Sequence, residues 1–180
     1  SANRYIADFS KLIRSILYNF NSDYISLAKE IESIEEYLKI EHLRFGDKFN
    51  YKISYDNDVV SSGNLQVSPG LVQPFVENAI WHGLLHKSGI GHLRLQFALI
   101  QDQVACIIDD DGVGRAKAAE LKSLSAVRYK SMGMGITLDR VELLNKMDSY
   151  GIHIAIDDKT DPAGLAAGTC VTVKIPITSS

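Results

Sequence analysis

Three short segments gather the residue types that could do chemistry. In QPFVENAIWHGL, residues 73–84, the side chains of Glu77, Asn78 and His82 interrupt a run otherwise apolar enough to be buried. Burying polar or ionisable groups without partners costs on the order of a few kcal/mol each, so these three must face something. On a helix Asn78 and His82, four apart, share a face, and Glu77 lies about 100° away on its flank. An amide oxygen is a suitable Mg²⁺ ligand, a carboxylate can orient or deprotonate a nucleophile, and an imidazole can donate to a phosphate oxygen. Taken alone, the segment reads more readily as a polar helix edge facing solvent or a capping loop.

The second segment is DDDGVG, residues 109–114, at the end of the apolar run VACII. An aspartate at a strand end, here Asp110, can accept a hydrogen bond from an exocyclic amine such as that of adenine. Gly112 and Gly114 let backbone approach a planar ring closely. An Asp-Gly turn or a divalent-cation loop is the alternative. The third segment is SMGMG, residues 131–135, which opens a helical pattern. There Gly133 and Gly135 would supply permissive backbone, and a helix N-terminus offers N–H donors and partial positive charge to phosphates.

The elements that must position these residues follow from periodicity. Ile6, Phe9, Ile13, Ile16, Leu17 and Phe20 predict an amphipathic helix that is already in period near the first residue. The chain therefore reads as a piece of something longer. A second helix follows Ser26 as N-cap. Its apolar stripe is Leu27, Ile31, Ile34, Leu38 and Phe45; Glu30, Glu32, Glu35, Glu36 and Lys39 fall mostly opposite, and Gly46 ends it. The period changes to two at Phe49, Tyr51, Ile53 and Tyr55, which marks a strand. Val72, Phe75, Val76, Ala79 and Ile80 form the core stripe of the helix bearing Asn78. HLRLQFALI and VACII predict a β-hairpin, RAKAAELKSL a short surface helix, ITLDRVELLNKM a helix with one buried face, and YGIHIAID and GTCVTVKIPI two last strands. Strands and helices mix without strict βαβ alternation, which predicts an α+β sandwich: one mixed sheet with helices on one face, preceded by a helical segment.

Bulk properties exclude several classes. With 180 residues, 46% hydrophobic, the chain can bury a full core. Nineteen Lys and Arg against 22 Asp and Glu leave a net charge of −3, without the basic footprint of a nucleic-acid binder. Cys106 and Cys170 have no metal or disulfide spacing and read as buried thiols in a reducing compartment. No apolar run approaches a membrane span, and no signal peptide opens the sequence.

The order and spacing of the three segments together resemble the Bergerat-type ATP-binding domain, shared by sensor histidine kinases and by gyrase-type and chaperone ATPases. More narrowly, QPFVENAIWHGL is similar to the N box, DDDGVGR to the G1 box and SMGMGITLDRVELLN to the G2 box of LytS-type sensor histidine kinases. LAKEIESIEEYLKIEHLRFGDKFNY resembles the helix and strand that precede the catalytic domain in that family. The resemblance implies a two-layer Bergerat sandwich over residues 47–180 behind a helical region, residues 1–46, that is the remnant of a dimerisation and phosphoacceptor region. It implies ATP and Mg²⁺ as cofactors. Asn78 would coordinate the metal, Glu77 would be the acidic catalytic neighbour, and His82 would reach a phosphate. Asp110 would hold the adenine amine, Gly112 and Gly114 would leave space beneath the ring, and Gly133 and Gly135 would sit in a lid hinge. It further implies transfer of the γ-phosphoryl group to a histidine in an Asn-Pro-His-Phe type motif upstream, which this sequence lacks, and then to a response regulator. The protein so implied is a homodimer with a cytoplasmic kinase domain and a parent in the inner or plasma membrane. Asp111, Trp81 and Ser131 depart from the family pattern, where Asn, a basic residue and Gly are usual, and the first two make the phosphate region more negative. A degenerate, non-enzymatic nucleotide-binding or dimerisation module is the competing expectation, and a chaperone- or topoisomerase-type ATPase is a third.

Overall fold

A computed structural model describes residues 24–61, 65–124, 132–148 and 151–179. The helix expected over residues 1–20 lies outside the described residues, as does Ser131. After a two-residue strand β1 (Ile25–Ser26), helix α1 spans Leu27–Phe45. The Ser26 hydroxyl accepts from the Lys29 N–H at 3.3 Å, and Gly46, at φ 57°, ends the helix, so both expected caps are in place.

The main sheet has five strands in the order β2-β4-β5-β7-β6, where β2 is Phe49–Tyr55, β4 Gly91–Ile100, β5 Gln103–Asp110, β6 His153–Thr160 and β7 Ala166–Pro176. β2 runs parallel to β4 and the other pairs are antiparallel, which makes the sheet mixed. The predicted hairpin is β4 and β5, turning at Gln101–Asp102. Side-chain alternation divides its faces. Leu93, Leu95 and Phe97 are buried with Val104, Cys106 and Ile108 of β5 and with Val171, Val173 and Ile175 of β7, whereas His92, Arg94 and Gln96 are exposed. Helices cover the apolar face: Ile34, Leu38 and Ile40 of α1, and Phe75, Val76 and Ile80 of the segment bearing Asn78, belong to the same core. Short strands β3 (Leu65–Val67) and β8 (Thr178–Ser179) join β1 in a small second sheet. Helix α2 is Asn57–Ser61, α3 Gln73–Asn78, α4 Gly114–Leu124 and α5 Met132–Asp148. No helix among the described residues is long and apolar enough to cross a membrane.

Two expectations are corrected. Periodicity assigns Glu30 to the polar face of α1, yet it is 3% exposed. The buried stripe includes Leu27, Glu30, Ile34, Tyr37 and Glu41, three and four residues at a step, so Glu30 falls under the helix by geometry. Both of its carboxylate oxygens accept from the Gly70 N–H at 3.1 Å, tying α1 to the loop that enters α3. Cys106 is buried as expected, but Cys170 is only partly so, because register sets it beside Asp109 and Asp157 on the outward face of the sheet.

Removing the Glu30 acceptor leaves the part-buried Gly70 N–H without this partner. Glu30→Ala should therefore destabilise the fold by about 1–3 kcal/mol, and Glu30→Gln by less, in urea unfolding.

Candidate functional site

Three consecutive aspartates at the end of β5 occupy three environments. Asp109 points outward to Arg94, at 2.6 Å, and Lys159; burial opposes its charge, but these cations hold its carboxyl below the ordinary range. Asp110 points inward and is 3% exposed. Asp111 leaves the sheet and is held by Lys87 at 2.8 Å, by His92 Nδ1 at 2.8 Å and by the His92 N–H at 2.7 Å. Burial opposes its charge as well, and these donors keep its carboxyl low. The surplus negative charge expected at Asp111 is thus already balanced within the fold.

Asp110 sits at the end of the central strand in a cradle of glycines. Its Oδ1 accepts from the Gly112 N–H at 2.8 Å. A Cβ on Gly83 would stand 3.0 Å from that oxygen, one on Gly112 would stand 2.5 Å from the Gly83 carbonyl carbon, and one on Gly168, at φ 112°, would lie 2.0 Å from the Asp110 carbonyl oxygen. Backbone at Gly83 and Gly112 thus crowds this carboxylate, and Gly168 comes closer to the Asp110 main-chain carbonyl than a side chain would permit. Gly112 closes the loop onto Gly83. Val113 N–H donates to Gly83 O at 3.3 Å and completes the contact. Gly114, at φ 77°, opens α4 against Ala166. Gly83 and Gly168 are missed by sequence reasoning, since each is defined by a neighbour distant in the chain.

The segment carrying Glu77, Asn78 and His82 is not one regular helix. α3 passes at Ala79 into a π-helical turn through Gly83 and then a 3₁₀ turn, Leu84–His86. Such a wider turn often marks a functional site, and here it ends with Gly83 against Asp110. All five expected core residues, Val72, Phe75, Val76, Ala79 and Ile80, are buried. Glu77, Asn78, Trp81 and His82 are half-buried. Glu77 Oε1 accepts from Gln73 Nε2 at 3.0 Å, and burial raises its carboxyl above the ordinary range. Gln73, Glu77 and Trp81, four apart, form one flank. That flank faces α1, where Trp81 meets Phe45 edge-on at 5.2 Å between ring centroids. Asn78 and His82 form the adjacent flank, and α3 also packs on α5.

Gly133 and Gly135 lie in the first turn of α5, at the helix start where the sequence places SMGMG. Among the histidines, His42 is structural: its Nδ1–H donates to Phe49 O at 3.1 Å and its ring packs edge-on against Phe49 and Tyr51. The structure thus brings the helix of Asn78 and the strand end of Asp110 into direct contact at Gly83.

Desolvation pushes the Asp110 carboxyl up from 3.8 to about 6, against the Gly112 and Thr169 backbone donors and Lys159. The folded state therefore holds this proton more tightly than the unfolded state, and stability is lost as pH rises from about 4 to about 6 and stays lost above. A gap of about two units corresponds to an upper figure of about 3 kcal/mol. Asp110→Asn should remove this slope. Urea unfolding of the two proteins across that range should diverge, and parallel curves would contradict the assignment.

The sequence model of a family described as Histidine kinase matches residues 1–49. Sensor histidine kinase YpdA of Escherichia coli (strain K12) is 30% identical over 155 residues, 86% of this chain and 26% of that protein. Sensor protein LytS of Staphylococcus saprophyticus is 32% identical over 176 residues, 97% of this chain and 28% of that protein. The chain thus spans about a quarter of the length of these curated relatives. Among solved structures, the catalytic domain of histidine kinase ThkA aligns with a TM-score of 0.55 at 16% identity, over 87% of this chain and 97% of that one. The Mycobacterial sensor histidine kinase MprB aligns with a TM-score of 0.55 at 15% identity, over 87% and 98%. The fold is therefore that of histidine kinase catalytic domains, and by sequence the chain belongs to the LytS-type sensor histidine kinases.

Proposed function

We propose that this chain is the ATP-binding catalytic part of a two-component sensor histidine kinase, and that its parent transfers the γ-phosphoryl group of ATP to a histidine on an upstream helix. The observation that carries this reading is the buried Asp110 carboxylate at the end of the central strand, packed on Gly83 of the segment that presents Asn78. Its fit to a purine can be judged from this cradle. Two backbone N–H groups act on the carboxylate, which can accept about four hydrogen bonds, so capacity remains for an exocyclic amine. Asn78 would ligate Mg²⁺ through its amide oxygen, and His82 on the same flank would donate to a phosphate. Glu77, held by Gln73, would be the acidic neighbour. The first turn of α5, with Gly133 and Gly135, would offer free N–H groups to phosphate oxygens. When bound, the metal neutralises phosphate charge, and the protein's task is then positioning and electrostatics.

We further propose residues 1–46 as the helical region leading from the acceptor and residues 47–180 as the catalytic domain. The parent would be a homodimer anchored in the inner or plasma membrane with this domain in the cytoplasm. A response regulator is the proposed onward acceptor; support comes from histidine kinase ThkA, whose solved complex with response regulator protein TrrA aligns with a TM-score of 0.52.

Isothermal titration should show saturable Mg²⁺·ATP binding. Asp110→Asn should weaken it at least about tenfold through loss of the charged acceptor, and Asn78→Ala should remove its dependence on Mg²⁺. Affinity should also fall as pH drops through about 6, where Asp110 takes up its proton. Absence of saturable binding would favour the non-enzymatic module, and multiple-turnover hydrolysis without an acceptor would favour an ATPase.

A further inference from the structure

Helix α1 buries polar groups on the side that meets the Glu77 flank. Tyr37 is 7% and Glu41 6% exposed. Glu41 Oε2 has no hydrogen-bond partner, and the Tyr37 hydroxyl meets the Trp81 indole without a hydrogen bond of ordinary geometry. Opposite stands Glu77, whose charge acts on both Tyr37 and Glu41. Two carboxylates thus share a poorly solvated space beside Asn78. Uncompensated, they would repel one another and any triphosphate brought to the helix.

The compensating charge comes from Arg44, three residues beyond Glu41. Its guanidinium carbon lies 4.8 Å from the centroid of the Trp81 ring and 5.1 Å from that of Phe45, and its charge acts on Glu41. A guanidinium is planar and weakly hydrated, so an aromatic face can seat it without removing its charge. Trp81, on the segment that bears Asn78, is thus the seat of a cation from another helix.

We propose that Arg44, seated on Trp81, is a positioning residue of the nucleotide site: it supplies from α1 the positive charge that offsets Glu41 beside the Glu77 flank. Affinity for Mg²⁺·ATP thereby depends on a helix outside the three nucleotide-binding segments. This rests on the nucleotide-binding reading above.

The test uses the 180-residue chain. Arg44→Met keeps the aliphatic stem and removes the charge, Arg44→Lys restores a charge, and Glu41→Gln in the Arg44→Met background removes the surplus carboxylate. Thermal melts confirm folding, and Trp81, the single tryptophan, reports on the stack by its emission. Arg44→Met should weaken Mg²⁺·ATP binding roughly tenfold in titration calorimetry, with its emission altered before nucleotide is added. Arg44→Lys and the double variant should each recover most of the affinity, a non-additivity that a purely structural role would not give. Unchanged affinity in Arg44→Met, or no recovery in either rescue, overturns the proposal. Should Arg44→Met fail to fold, Glu41→Gln alone decides: tighter binding supports it, and unchanged or weaker binding overturns it. If the unsubstituted chain does not bind Mg²⁺·ATP, or Asp110→Asn binds equally well, the nucleotide reading itself fails and takes this proposal with it.

Discussion

The burial of one carboxylate organises this fold. Asp110 is placed inside the molecule by strand alternation, and an ionisable group there is tolerated only if donors and space are arranged around it. The Gly112 N–H supplies the donor, Gly83 and Gly112 let backbone close on the carboxylate, and Gly168 lets β7 close on the Asp110 main-chain carbonyl. Those contacts draw together the end of β5, the π-helical turn after α3 and the start of β7.

Electrostatic balance around the site is distributed over elements remote in sequence. Asp111 is matched by Lys87 and His92, Asp109 by Arg94 and Lys159. These pairings separate the inward aspartate from its two neighbours, so that three identical side chains in a row take different charge behaviour from position alone. The departures at Asp111 and Trp81 therefore have local answers in the fold: the extra anion is already paired, and the aromatic ring carries a guanidinium.

Much of this was legible in the residues. The caps Ser26 and Gly46, the period-two runs of β4 and β5, and the stripe from Val72 to Ile80 are local signals, and each appears where its pattern places it. The Asp-x-Gly-x-Gly segment was readable because a strand and a turn adjoin in sequence. Glu30 was misassigned because helical geometry fixes which side a residue occupies, and an acidic side chain there is acceptable only with a donor such as Gly70, which no local pattern reveals. Gly83 and Gly168 were missed for a similar reason: what a missing Cβ is for depends on the atom it would have struck, 27 and 58 residues away from Asp110. The π-helical turn leaves no mark on periodicity over so short a stretch.

Helix α1 is pinned at two places. Near its start Glu30 grips Gly70, ahead of α3; near its end Arg44 and Phe45 clasp Trp81, beyond α3. The anchors are fourteen residues apart, about 21 Å along a stiff rod. A rod clamped so cannot slide or roll at one end without carrying the other, and the short segment between the clamps, which holds Asn78, would inherit the displacement as torque.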